Sequence, residues 1–391
     1  MKTKLKIYNF GVYLISGVIE PFIAAYLYHR AFGGVQIGLM LGTLPLALMV
    51  FQPIWSYLSD ILHARRILLQ IACLGAGVSL VGLGLVDSFF ATFLLGLVLV
   101  FFRSPIVVIT NAITLDYLEK ESSIEDFSLI RLWGSVSFAI SSFILGSYVV
   151  ENNMDIFPWL AAGLFFLQAA ISFLLPKEAK AVRFSGLKDV RLAENNNPLI
   201  WFLVAIVFIG ATASISINYQ TIYLQSLQAD AWLIGLIIGL QAILEVPFML
   251  IAPAVLKRVS MEKLILFGAL LLPIRWISYI FIDNPYWVIP TQLLHSIATV
   301  CLIVVGAAFI DTKVAKQWRA TGQGLYTTAM FSVGASLGQY LAGSVYQAFH
   351  IQAVWGLSLV LGVIGIVLLV MSLRKFNKAT PPEPGTASEA I

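Results

Sequence analysis

The feature that most constrains the fold of this 391-residue chain is its hydropathy, because apolar segments follow one another along nearly the whole sequence. Each is about 20 residues long, the length of helix that crosses the hydrocarbon core of a bilayer. Hydrophobic residues make up 59% of the chain and charged residues 11%, against roughly 45–50% and 25% in soluble domains. The sequence therefore predicts an all-α protein embedded in a lipid bilayer.

We number the apolar segments as spans 1 to 12. They lie at approximately 7–28, 35–59, 66–86, 89–116, 129–149, 156–176, 199–225, 233–256, 262–282, 286–311, 322–345 and 351–373. Lysine and arginine are concentrated at the termini and after even-numbered spans, whereas the opposite connections contain a single basic residue, Arg30. Because positive loops stay in the cytoplasm, we expect a multi-pass protein of the cell membrane with both termini cytoplasmic. These loops account for the net charge of +4, so no nucleic-acid partner is expected.

The second half of the chain repeats the first at a constant offset of about half its length. Three pairs of short motifs match: Tyr26-Leu27 with Tyr223-Leu224, Ile37-Gly38-Leu39 with Ile234-Gly235-Leu236, and Gly146-Ser147 with Gly343-Ser344. Two parallel six-helix repeats are typical of transporters that bind a solute near the middle of the membrane. We predict a first bundle at 1–176, a cytoplasmic connector at 177–197, a second bundle at 198–374 and a disordered tail at 375–391.

Several motifs resemble the major facilitator superfamily. SDILHARR at 59–66 is similar to the loop between spans 2 and 3 of that superfamily and implies a gating role for Asp60, Arg65 and Arg66. IRLWGSVSFA at 130–139 and QLLHSIATV at 292–300 resemble spans 5 and 10 of the branch that contains lactose permease and phenylpropionic acid transporters. The resemblance covers essentially the whole chain. It implies a central cavity that opens alternately to the two sides.

Five ionisable residues lie inside the predicted spans, away from their ends: Glu20, Arg103, Glu245, Arg275 and His295. A charge within the membrane is costly and is usually paired or functional. The residues match by sign and depth, so we expect Glu20 to contact Arg103, and Glu245 to contact Arg275 and His295. The alternatives are purely structural roles: a static Glu245–Arg275 ion pair, a hydrogen bond from His295 to a neighbouring helix, and support of the helix kink at Pro21 by Glu20.

The family resemblance suggests roles for these residues. Lactose permease and its relatives carry an acid, an arginine and a histidine on spans 8, 9 and 10, which implies proton coupling through Glu245, Arg275 and His295, with Glu20 as a further candidate. An additional acid of that family is replaced by Ala298 here. The candidate substrate-binding residues are polar or aromatic groups on cavity-forming spans: Asn111, Arg131, Phe138, Tyr219, Gln241 and Arg103.

We therefore expect a monomeric secondary transporter that takes up a small organic solute together with protons. A monocarboxylate is placed ahead of a neutral sugar, because Asn111 replaces an acid that balances Arg131 in relatives. Symport of a neutral sugar or nucleoside, proton-antiport efflux of drugs or metabolites, and a sensor that has lost transport are the alternatives. No P-loop or HExxH motif is present, so we expect no enzymatic activity, cofactor or metal.

Cysteine labelling tests the predicted topology. With a membrane-impermeant thiol reagent, Asn152→Cys and Asn284→Cys should react from outside the cell and Ser185→Cys only from the cytoplasmic side. The native cysteines, Cys73 and Cys301, lie inside predicted spans and provide the background measurement. If Asn152→Cys and Ser185→Cys react from the same side, the twelve-span topology is wrong.

Overall fold

The computed structural model describes residues 2–62, 64–119, 124–152, 154–175, 197–314 and 318–379. These residues form twelve helical segments and contain no strand. Ten of the segments are long and apolar enough to cross a membrane. The other two are spans 5 and 11, which belong to the same repeat position in the two halves. The predicted fold class, an all-α membrane protein with two parallel six-helix repeats, is confirmed.

The first half contains spans 1 to 6. Span 1 consists of Lys2–Ile19 and Ile23–His29, and span 6 of the short helices Met154–Ile156 and Ser172–Leu174 on either side of Phe157–Ile171. Spans 2 to 5 are single helices: Gly34–Leu62, Arg65–Leu85, Phe89–Glu119 and Ile124–Asn152. The side chains of Asp60 and Arg131 lie outside the part that the structure describes.

The second half contains spans 7 to 12. Spans 7, 8, 9 and 12 are Asn197–Ser226, Ala231–Leu256, Met261–Phe281 and Ile351–Ala379. Spans 10 and 11 each consist of several consecutive helical segments. Span 10 comprises Pro285–Trp287, Val288–Thr299, Val300–Val305 and Gly306–Lys313. Span 11 comprises Arg319–Thr327, Thr328–Gly334 and Ala335–Ala348. The third segment of span 10 and the second segment of span 11 are π-helical, a geometry that often occurs at functional sites.

Two predicted domain boundaries can be compared with the observed ends of spans 7 and 12. The predicted connector at 177–197 lies outside the described residues except for Asn197, where span 7 begins. Span 12 continues to Ala379, beyond the predicted start of the tail at 375. Packing explains this extension, because Lys375 Nζ lies 5.0 Å from the Trp201 ring centre and Phe376 is buried. The remainder of the predicted tail, 380–391, lies outside the described residues.

Helix packing repeats between the halves. In the first half, five pairs of spans pack together: 1 with 5, 1 with 6, 2 with 4, 3 with 4, and 3 with 6. The five corresponding pairs in the second half also pack together. The halves meet where span 2 packs against span 11, span 5 against span 8, and span 1 against span 7. These contacts place the polar residues of both halves on either side of one central seam.

Repeated glycines form two of the contacts between the halves. A Cβ added to Gly38 would lie 2.7 Å from Gly343 Cα, and one added to Gly146 would lie 2.5 Å from Gly235 Cα. These are the glycines of the repeated motifs. Small residues allow such close backbone packing of helices in a membrane. Both crossings lie near the predicted outer ends of their spans, so the two halves are closed on that side.

Span 1 is interrupted between Ile19 and Ile23, and Glu20 lies in this interruption. Pro21 has no N–H group and therefore leaves the carbonyl of Gly17 without its helical partner. Ser142 on span 5 supplies the replacement, since its Oγ donates to Gly17 O at 3.0 Å. Thr221 on span 7 donates to Pro21 O at 2.7 Å. The broken segment is thus held by hydrogen bonds from both halves of the molecule.

Replacing a crossing glycine should prevent closure of the predicted outer side. In Gly235→Val, the added side chain would overlap the backbone of span 5, where Phe143 O already lies 2.5 Å from an ideal Cβ. We expect a cysteine at the buried position Thr221 to become reactive to an impermeant thiol reagent added from that side. Gly356→Val is the matched control, because its Cβ meets nothing within 4 Å. Equal reactivity in both variants would argue against the crossing as the closing contact.

Ser142→Ala should destabilise the protein, because it leaves the Gly17 carbonyl buried without a hydrogen bond. The expected cost is about 1 kcal/mol, measured as a lower thermal unfolding temperature in detergent. Ser344→Ala is the control, since the Ser344 hydroxyl donates only within its own helix, to Tyr340 O at 3.0 Å. If the two substitutions lower the unfolding temperature equally, the proline-freed carbonyl does not need Ser142.

Candidate functional site

A polar cluster lies in the second half, inside the bundle formed by spans 7 to 10. It combines charged groups with neutral amides and hydroxyls: Ser216 and Gln220 on span 7, Gln241 and Glu245 on span 8, Arg275 and Tyr279 on span 9, and Gln292 and His295 on span 10. Each of these spans is otherwise strongly apolar. A set of polar groups converging from four helices is therefore a candidate functional site.

Arg275 is the centre of this cluster and is only 1% exposed. Its Nη1 and Nη2 groups donate to Ser216 Oγ at 2.9 Å, the Tyr279 hydroxyl at 2.9 Å, Gln292 Oε1 at 3.2 Å and Gln220 Oε1 at 3.4 Å. All four acceptors are neutral. The guanidinium carbon also lies 5.0 Å from the ring centre of Trp276. A buried cation in lipid is thus solvated by oriented dipoles and aromatic faces rather than by water.

His295 lies between Arg275 and Glu245. Arg275 Nη1 is 2.8 Å from His295 Nδ1, and His295 Nε2 is 3.5 Å from Glu245 Oε1. Arginine has only donors, so Nδ1 must accept and the proton of the neutral imidazole is on Nε2, facing Glu245. The imidazole becomes doubly protonated only if the bond to Arg275 is released.

This arrangement corrects one expected contact. The sequence analysis expects Glu245 to contact both His295 and Arg275, but among the described residues Arg275 makes no ion pair with a carboxylate. The imidazole occupies the space between the two charges and contacts each. The side chain of Glu245 is 24% exposed, whereas Arg275 is enclosed. The three groups therefore form a series in the order Glu245, His295, Arg275.

Three glutamines, on spans 7, 8 and 10, form a hydrogen-bonded network beside this series. Gln241 Nε2 donates to Gln220 Oε1 and to Gln292 Oε1, both at 2.7 Å, and both of these oxygens also accept from Arg275. Ser296 Oγ donates to the backbone oxygen of Gln241 at 3.2 Å. Gln220 and Gln292 were not predicted from the sequence, although amides at these positions in apolar spans are a detectable signal.

In the first half, a direct ion pair joins spans 1 and 4. Arg103 Nη2 contacts Glu20 Oε1 and lies 3.3 Å from Ser16 Oγ. The expected contact between Glu20 and Arg103 is thus confirmed. Both side chains are partly exposed, unlike Arg275. Their charges compensate each other without a third group.

The remaining predicted substrate residues occupy different environments. Asn111 and Phe138 are half-buried, on span 4 and span 5. Arg131 lies on span 5, but its side chain is outside the described part. Tyr219 is completely buried, with its ring centre 6.0 Å from that of Tyr346 on span 11, so it lines no open cavity in this conformation. The neighbouring Asn218 is more exposed and was not predicted.

The predicted gating residues are partly described. Arg66 Nη1 donates to Leu175 O at 3.4 Å, and its guanidinium lies 4.9 Å from the Phe173 ring centre. Arg66 therefore joins the start of span 3 to the end of span 6, within one half of the molecule. Arg65 is buried, and the Asp60 side chain is outside the described part. Within the described ranges, no group of His, Cys, Asp and Glu residues could hold a metal ion.

Comparison with known proteins agrees with this architecture. The chain is 23% identical to the maltose permease of Geobacillus stearothermophilus, over 97% of this chain and 96% of the permease. It is 24% identical to the xanthosine permease of Escherichia coli, over 90% and 89% of the two chains. The crystal structure of the nucleoside transporter NupG superposes with a TM-score of 0.82 at 19% identity, over 96% of this chain and 98% of that one.

The predicted superfamily is confirmed by a family model. The model of the MFS_1 like family matches residues 2–357, which include spans 1 to 11 and the start of span 12. The relatives above are permeases or transporters rather than enzymes. The chain therefore belongs to the MFS_1 like family, and it is a multi-pass membrane transporter of the major facilitator superfamily.

Proposed function

We propose that this protein takes up a small neutral solute together with protons by alternating access. The observation that carries the proposal is the Glu245–His295–Arg275 series, which lies against a network of glutamine amides. The series contains a group that gains a proton, a group that transmits the change and a cation that responds to it. We further infer that the protein acts as a monomer in the cell membrane with both termini in the cytoplasm.

Proton coupling follows from the order of the three groups. A nearby cation favours the charged form of a carboxylate, and withdrawal of the cation favours the protonated form. Arg275 is connected to Glu245 through the imidazole of His295, so a change at either end alters the hydrogen bond at the other. A solute that displaces Arg275 from His295 therefore changes the proton affinity of Glu245. This reciprocal effect is the linkage that a symporter requires.

The charge balance of the site favours a neutral solute. In the first half, Glu20 and Arg103 neutralise each other. In the second half, Arg275 is enclosed by neutral acceptors, and the partly exposed polar groups include Gln241, Asn218 and Glu245, of which Glu245 contacts His295. Amide side chains donate and accept hydrogen bonds, which suits the hydroxyl and carbonyl groups of sugars and nucleosides. Relatives named as permeases of maltose and xanthosine support this class.

A monocarboxylate is the second candidate. Asn111 stands on span 4 where relatives carry an acid, and Arg131 follows on span 5. An arginine within a membrane span is costly unless a negative charge balances it. The aromatic side chain of Phe138 lies on the same span and is half-buried. This arrangement suits a small acid with an apolar body.

Glu245→Gln should abolish accumulation driven by a pH gradient while leaving exchange of solute measurable. The amide mimics the protonated carboxyl and keeps the contact with His295, but it carries no proton. Uptake of radiolabelled maltose, xanthosine and adenosine into proteoliposomes, with and without an imposed pH gradient, measures both activities. Normal accumulation by this variant would transfer the coupling role to Glu20 or His295. Accumulation only against an opposed gradient would indicate antiport efflux instead.

The charge of the solute can be tested with phenylpropionic acid and its uncharged amide. If the protein recognises neutral solutes, the two compounds bind with affinities within about threefold of each other, and Arg131→Gln changes neither strongly. If a monocarboxylate is the substrate, the acid binds at least about tenfold more tightly, as expected for loss of one charge-assisted contact. The second result would also require that Arg131→Gln removes this preference.

A further inference from the structure

A cavity lies at the predicted outer side, away from the polar cluster. Its volume is about 480 Å³, and it is lined by the ends of spans 1, 7 and 11 and the start of span 12. This volume is within the range of pockets that hold small molecules. Tyr28 is the lining residue from the first half, whereas the other lining residues belong to the second half. The cavity therefore bridges the seam between the halves.

Part of the wall is aromatic. The ring centres of Tyr28 and Tyr346 are 6.1 Å apart across the seam, and Phe349 adds an exposed ring beside them. The position of Tyr346 is fixed from the first half too, because a Cβ added to Gly34 would lie 3.1 Å from Tyr346 Cδ1. On its inner side Tyr346 contacts Tyr219, whose buried hydroxyl has no partner among the described residues. A column of tyrosines thus connects the outer cavity to the protein interior.

The rest of the wall combines four polar side chains with two isoleucines. The polar groups are the amides of Gln225 and Gln352, the hydroxyl of Ser226 and the imidazole of His350, and the apolar ones are the side chains of Ile222 and Ile351. The lining residues contain no carboxylate, lysine or arginine. Such a wall offers both hydrogen-bond donors and acceptors to a bound solute. Aromatic faces beside amides suit a ring that has an apolar face and hydroxyl groups at its edge.

We propose that this outer cavity is a second binding site for a neutral hydroxyl-bearing ring, of the sugar or nucleoside class. The substrate class rests on the proposed function, whereas the position of the site does not. Since Tyr28 and the other walls belong to different halves, the cavity is complete only while the outer side is closed. A solute bound there makes contacts that the open form lacks, and it therefore stabilises the closed form.

The test uses protein whose outer side is held closed. Thr43 Oγ1 and the Tyr340 hydroxyl are 2.9 Å apart across the seam, and neither residue lines the cavity. Thr43→Cys and Tyr340→Cys can be joined by a short bifunctional thiol reagent in sealed right-side-out vesicles. Maltose and adenosine, added outside, then reach only the outer surface. Saturation-transfer NMR detects weak binding of either probe.

We expect saturation transfer from the crosslinked protein to the ring protons of at least one probe. Tyr28→Ala should reduce it by roughly fivefold, as expected for loss of an aromatic contact. Tyr286→Ala is the matched control and should change it less than twofold, because Tyr286 is also 49% exposed at the predicted outer side but lies outside the cavity. The comparison of maltose with adenosine separates a sugar site from a nucleoside site.

Absence of transfer from the crosslinked protein, or an equal loss in both tyrosine variants, would overturn the inference. Uptake by the uncrosslinked protein distinguishes this failure from failure of the proposed function. If neutral solutes are accumulated but do not bind the closed outer side, the transport function stands and the outer site does not. If the probes bind outside but are not transported, the outer site stands and the neutral-solute function is wrong.

Discussion

The backbone contacts between the two halves determine most of this architecture. In lipid there is no hydrophobic force to bring helices together, so close packing must provide the attraction. Gly38 meets Gly343, and Gly146 meets Gly235, without space for a Cβ between them. These four glycines belong to two of the repeated motifs, so the two crossings are related by the internal repeat. They hold the predicted outer ends together and bring Tyr28 against Tyr346, which completes the outer cavity.

The two halves solve the problem of buried charge differently. Glu20 and Arg103 form a direct pair, so their charges cancel within one contact. Arg275 instead depends on neutral acceptors and on an imidazole that separates it from Glu245. In a direct pair, each charge is already neutralised by its partner. Under the proposed function, a change of protonation at Glu245 reaches Arg275 through this imidazole, whereas the first pair has no intervening group.

Features set by residue size and sign could be predicted from the sequence. The repeated glycines indicated the two halves, and opposite charges at similar depth indicated the Glu20–Arg103 contact. Side-chain direction could not be predicted, because these spans are apolar on nearly every face and their periodicity does not show which face meets which neighbour. Tyr219 is therefore buried against span 11 although it was expected to contact substrate. For the same reason, Gln220 and Gln292 were not recognised as partners of Arg275.

The two crossings are related by the repeat but differ chemically, and under the proposed function this difference favours coupling through the second half. Thr43 bonds to Tyr340 beside the crossing of spans 2 and 11, whereas the repeat-related residues, Leu240 and Phe143, are apolar. Opening the first crossing therefore breaks one hydrogen bond, a net cost of about 1 kcal/mol. Opening the second moves span 8, which carries the crossing glycine, the amide of Gln241 and the carboxylate of Glu245 on a single helix. If span 8 moves relative to spans 7 and 10 when spans 5 and 8 separate, the glutamine network and the Glu245–His295 contact change together. Under the proposed function, one helix then carries both the closing contact and the candidate proton site.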